Sequence, residues 1–244
     1  MPTSHLMHED ALLTVADTCL IAGHRFSEWC GHGPALEEDI SLTNTSLDAI
    51  GQARSIYQIV AARRTPKTTE DALAYFRDAS EFRSITLAEA PEPDYAHTVL
   101  KSFLLAAWFV PLWDALARGT DRDVATAAVN AVKESRVQER HAAEWVVRFG
   151  DGTTESRNRL DAALVALWPL CAQLLALEIG ETDSAGRNAA WKRAVSETFA
   201  EATLPLPAWP VAAAAVPSTK EQEVRRALLA EMQSLARQHP GATW

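Results

Sequence analysis

Ala131-Val132-Lys133-Glu134-Ser135-Arg136-Val137-Gln138-Glu139-Arg140-His141-Ala142-Ala143-Glu144-Trp145 carries apolar residues at 131, 142 and 145. With Val124 and Ala128 before them and Phe149 after, they mark one face of a long helix. Beside that face runs a polar stripe, Glu134, Gln138 and His141, flanked by Ala131 and Trp145. A helix that turns polar groups toward its apolar side belongs in a bundle with a polar centre. Bundles that hold two metal ions build such a centre from Glu-x-x-His on two helices and a single Glu on each of the other two. Residues i and i+3 share a helix face, so both members of the motif project inward. Here Glu134 is followed three residues later by Val137, Asp48 is followed by Gly51, and no Glu-x-x-His occurs anywhere in the sequence.

Outward from this helix the pattern stays helical. Leu12, Ala16, Cys19, Leu20 and Gly23 keep helical spacing, as do Leu36, Ile40, Leu47, Ile50 and Tyr57 after the break Gly31-His32-Gly33-Pro34. This predicts two long helices joined by a tight turn. A shorter helix is expected over 70–78, and Pro91-Glu92-Pro93 then stops and restarts the chain. A third long helix is predicted over 94–118, kinked at Pro111, and the turn at 119–123 leads into the fourth. Gly150 is expected to close that helix in the left-handed conformation, and Thr153 to cap a fifth helix reaching 177. A sixth helix fits 187–202, residues 204–217 with their four prolines read as an extended arm, and a last helix fits 219–239. There is no alternating strand pattern and no internal repeat. The expectation is an all-α chain, a single ferritin-like domain over 1–244, with a four-helix core at about 11–149 and extra C-terminal helices.

A chain of 244 residues with 48% hydrophobic content can bury a large core. A net charge of −9 argues against nucleic acid, which is bound by clustered Lys and Arg. Three cysteines, an odd number without a Cys-x-x-Cys pair, support neither a disulfide framework nor a thiolate metal site, and point to a reducing, cytoplasmic setting. The N-terminus shows no secretory pattern. The longest apolar runs, 103–113 and 162–172, fall short of the roughly 20 residues of a membrane span.

Chemistry could reside in a degenerate cluster of Asp17, His24, Asp48, Lys133, Glu134 and Gln138. A lone buried carboxylate must be paired or protonated, and Lys133 or Arg54 could supply the counter-charge. Gly51 and Val137 offer no imidazole, and the third helix around Phe103, Ala106 and Ala107 is apolar, so the cluster is expected to be a satisfied polar network without metal. The rival reading is an independent di-metal oxidase using Asp17, Asp48 and Glu134 with His24 or His141. Asp94-x-x-His97 at a helix start reads as a cap. Among eight tryptophans, Trp209 in the arm and Trp244 at the C-terminus are candidate interface anchors.

The run Glu28-Trp29-Cys30-Gly31-His32-Gly33, with Leu36-Glu37-Glu38-Asp39-Ile40, Asn44, Leu47-Asp48 and Gly51-Gln52-Ala53-Arg54, closely resembles the C-type subunits of bacterial phenylacetyl-CoA epoxidases. Further matches are Phe76-Arg77-Asp78, Asp94-Tyr95-Ala96, Lys133-Glu134, Glu144-Trp145-Val146, Gly150-Asp151-Gly152-Thr153, Leu229-Ala230-Glu231-Met232-Gln233 and the terminal Trp244, spanning nearly the whole chain. The resemblance implies a ferritin-like structural subunit with no catalytic metal or other cofactor of its own. Its implied partners are a homologous catalytic, A-type subunit that holds two iron ions, other oxygenase subunits and a flavin and iron-sulfur reductase. The implied activity of the complex is epoxidation of the ring of phenylacetyl-CoA. Two stretches depart from the family pattern. Val137-Gln138 stands in place of Tyr-His, and residues 220–225 replace a His-Thr-Glu-His-Leu-Gly run; both changes remove histidine.

Overall fold

The computed structural model describes residues 7–180, 182–211 and 218–242, and all its regular elements are helices. The core is two antiparallel hairpins, α1 (Glu9–Ser27) with α2 (Leu36–Arg63), and α5 (Tyr95–Ala117) with α6 (Arg122–Gly150). Between them the chain forms two short helices, α3 (Glu70–Tyr75) and α4 (Thr86–Glu89), the latter without a counterpart in the sequence reading. Then follow α7 (Thr154–Leu167), a 3-10 turn at Trp168–Leu170, α8 (Cys171–Ala176), α9 (Ser184–Glu201), α10 (Thr219–Met232) and α11 (Ser234–Gln238). The observed architecture is the all-α, ferritin-like bundle with added C-terminal helices.

Side-chain caps set many of the starts. Thr69, Asp94, Asp121, Thr153, Asp183 and Ser218 each accept a backbone N–H from the first turn of the helix they precede, and Ser218 with Glu221 completes a reciprocal capping box. Asp94 bonds His97 N at 2.9 Å and His97 Nδ1 at 2.7 Å, so that pair is the local cap the sequence suggested.

Several expected elements are divided or differently closed. The helix expected to reach 177 breaks at Trp168–Leu170, where Pro169 lacks the N–H a continuing helix needs. The last helix is split at Gln233, whose Nε2 donates to the carbonyls of Ala74 and Arg77 at 3.2 and 3.0 Å. Helix α5 passes through Pro111 as one element. Gly150 does not adopt the left-handed conformation; it ends α6 within the helix, and a Cβ there would stand 2.2 Å from the Ala202 carbonyl oxygen. Its smallness is required by the close approach of the end of α9.

Most of α5 is buried, and Trp108, Trp113 and Trp191 are fully enclosed in the core. By length and composition the segments Tyr95–Ala117 and Thr154–Ala176 could cross a membrane, contrary to the shorter runs read from sequence. The first is enclosed by its neighbours, and the second is interrupted at Pro169. The arm after α9 turns back on the bundle: Trp209 packs against Trp168 and Trp191 with ring centroids 5.4 and 5.7 Å apart. Trp209 is therefore part of an intramolecular aromatic cluster rather than a free anchor, and Trp244 lies outside the described residues.

Candidate functional site

The six residues of the expected cluster fall in separate places. Asp17 is completely buried on α1 and receives a hydrogen bond from Tyr57 Oη at 2.5 Å and from Arg83 N at 2.8 Å. Its counter-charge is Arg77, which follows α3, and neither Lys133 nor Arg54. The Arg77 Nε also donates to the Leu73 carbonyl at 2.6 Å, and its guanidinium lies over the Phe82 ring at 4.3 Å. The two partners satisfy each other's charge, which is the condition under which a buried ion pair is tolerated. Lys133 is exposed, and Arg54 is an exposed side chain paired with Glu70 at 2.8 Å. His24 is partly buried near α10; burial lowers its pKa, and Glu231 works weakly in the opposite direction.

Asp48, Glu134 and Gln138 do come together, at the seam between α2 and α6. Glu134 Oε2 accepts from Gln52 Nε2 at 2.9 Å, and Gln52 Oε1 faces Cys19 Sγ at 3.8 Å. Burial first and the Glu134 carboxylate second raise the Asp48 pKa, with Gln138 acting the other way; the Gln138 Nε2 has no hydrogen-bond partner of ordinary length. Burial, and then Glu134, also pushes the Cys19 thiol well above its usual range, which keeps it protonated and unreactive. Tyr57 lies five residues past Gln52, about 7.5 Å along the helix at 1.5 Å per residue, so the Asp17 pair occupies a different level from the seam.

A two-metal centre does not fit these residues. It needs hard oxygen ligands plus imidazoles converging from four helices. Gly51 and Val137, at the i+3 positions, are exposed and bear no donor, Asp17 is taken by Arg77, and α5 presents Phe103 and Ala106. Among the described residues no group of three or more His, Cys, Asp or Glu side chains could hold a metal ion. His141, the other histidine of the rival set, is engaged elsewhere: its Nε2 lies 3.0 Å from Glu38 Oε2 and 3.1 Å from Ser41 Oγ, and Tyr95 Oη donates to the same Glu38 oxygen at 2.6 Å.

Two features were not anticipated from sequence. Lys101 is fully buried on α5, donates to the Ala90 carbonyl at 2.8 Å and is ion-paired with Glu92, whose other oxygen accepts from Trp29 Nε1 at 2.9 Å. Arg225 on α10 reaches Glu89 at 2.7 Å and the carbonyls of Phe82 and Ser84 at 3.3 and 3.2 Å. Both buried cations hold the segment between the hairpins, and a charged residue in an apolar stretch was the sequence signal for Lys101. A cavity of about 1020 Å³, lined in part by Thr14, Leu116, Asp121 and Glu178, lies at the far end of the bundle from His141 and does not include Asp48 or Glu134.

Comparison with known proteins agrees with this architecture. Residues 4–244 match the family model described as phenylacetic acid catabolic protein. Over 241 residues the chain is 34% identical to the C-type subunit of 1,2-phenylacetyl-CoA epoxidase from Escherichia coli strain K12, covering 95% of this chain and 97% of that protein. The chain belongs to the phenylacetic acid catabolic protein family and is a homologue of that epoxidase component.

Proposed function

We propose that this chain is the structural subunit of a multicomponent aromatic-CoA oxygenase of the phenylacetyl-CoA epoxidase type, in aerobic phenylacetate breakdown. It holds no catalytic metal; it pairs with and stabilises a homologous subunit that carries two iron ions, in a cytoplasmic complex fed by a flavin and iron-sulfur reductase. One observation carries the reading: the positions three residues after Asp48 and Glu134 hold Gly51 and Val137 and face solvent, while Asp17 is spent on Arg77. The related protein's designation as one lettered subunit of an epoxidase supports it.

The test is made on the purified chain. Elemental analysis after iron loading, together with oxygen uptake in the presence of reductant and phenylacetyl-CoA, should give far less than one iron per chain and no oxygen-dependent product. Two irons per chain with turnover would make it an enzyme in its own right.

A further inference from the structure

Helices α2 and α6 run antiparallel. Gln52 bonds Glu134, Glu38 faces His141, and Arg63 reaches Asp121 at 2.7 Å. This register sets Leu47 opposite Val137, on the outer side of the seam that holds Asp48 and Glu134. Leu47 is 62% exposed and Val137 57%. On α2 the row continues with Leu36, Ile40 and Gly51, spaced by four, seven and four residues, so they share one stripe, and all are exposed. From Leu36 to Gly51 the stripe is about 22 Å long at 1.5 Å per residue, the length of a four-turn helix. Apolar side chains standing clear of a bundle in a continuous row are a mark of an interaction surface.

The charges along the row say what kind of partner fits. Asp48 and Glu134 are partly buried neighbours, and among the described residues neither forms an ion pair. Gln138 leaves a buried amide nitrogen unpartnered beside them. Two partly desolvated carboxylates with no cation of their own cost stability until an outside cation meets them. A second copy is a poor occupant. A two-fold axis through Leu47 and Val137 would bring Asp48 and Glu134 against their own equivalents, in a chain whose formal charge is already −9.

We propose that the α2–α6 ridge is the docking face for a different polypeptide, which lays an apolar helix along Leu36, Ile40, Leu47 and Val137 and sets a lysine or arginine against Asp48 and Glu134. This rests on the structural role proposed for the chain, with the di-iron homologue as the polypeptide concerned. Docking removes the exposed row from water and neutralises the carboxylates in one step, so the chain's least satisfied surface is completed by its partner.

The experiment titrates the di-iron homologue with wild-type chain, Leu47→Asp, Val137→Asp and Asp48→Lys. Val165→Asp serves as control, at a position 77% exposed on α7. Thermal unfolding and sedimentation of each chain alone accompany the titrations. The first three variants should bind at least tenfold more weakly, and the control within twofold of wild type. Equal binding by all variants would reject this face while leaving the pairing of the two proteins intact. No binding by wild type would reject the pairing and this face with it. A wild-type homodimer that Leu47→Asp disperses would make a second copy the occupant and overturn the proposal. Should a variant fail to fold, hydrogen exchange on the wild-type pair decides the matter: slowed exchange confined to 36–51 and 129–141 supports the face, and unchanged exchange there rejects it.

Discussion

At the residue scale the chain treats its carboxylates in two opposite ways. Asp17 is dehydrated but fully met by Arg77, Tyr57 and a backbone N–H. Removing one partner strands the other in the core, so Arg77→Ala should lower unfolding free energy by about 3–5 kcal/mol, read from urea denaturation. Asp48 is the reverse case: burial and Glu134 raise its pKa, and no cation compensates. A carboxyl that holds its proton more tightly when folded contributes stability below its unfolded pKa, and that contribution is lost as pH rises through the higher folded value. Subtracting the stability profile of Asp48→Asn from that of wild type should therefore leave a difference that falls as pH rises from about 4 into the mildly acidic range. A flat difference, or one of opposite slope, would show that Asp48 meets a cation in the isolated chain.

At the element scale, stability depends on how the C-terminal helices return to the bundle. The Gly150 backbone touches Ala202 too closely for a side chain. Gly→Ala inside a helix ordinarily gains up to about 1 kcal/mol, but here the overlap with a backbone carbonyl should reverse the sign. Gly150→Ala is expected to lower stability by about 1–3 kcal/mol, measured as a reduced denaturation midpoint. The existence of the long helices was legible because apolar spacing reports a buried face directly, as with Leu12, Ala16 and Cys19 on α1. The reason for Gly150 was not legible, because it depends on a contact with Ala202, fifty-two positions away. The same holds for the break at Gln233, whose amide is drawn to carbonyls of the segment after α3, whereas the break at Pro169 could have been read from the proline.

On the scale of the whole molecule, the four long helices keep the layout of a metal-binding bundle while their polar groups serve other ends. Asp17 fastens α1 to the chain after α3, Lys101 and Glu92 fasten α5 to the turn beside Trp29, and Glu38 with His141 bridges α2 and α6. The missing histidines were plain in the sequence, since Gly51 and Val137 can be read as letters. The pairing of Asp17 with Arg77 was not, because sixty positions separate them and only the fold brings them together. What is left unsatisfied, the carboxylates of the α2–α6 seam and the apolar row beside them, faces outward. The account therefore holds that this chain contributes surface and support to a complex, and no ligand to its iron. The most direct measurement is iron content and turnover in the complex assembled from the Asp48→Asn/Glu134→Gln chain with the di-iron homologue, isolated at normal mass. The account predicts two irons per di-iron homologue and turnover within about twofold of wild type. A complex of normal mass that has lost iron or activity would contradict it.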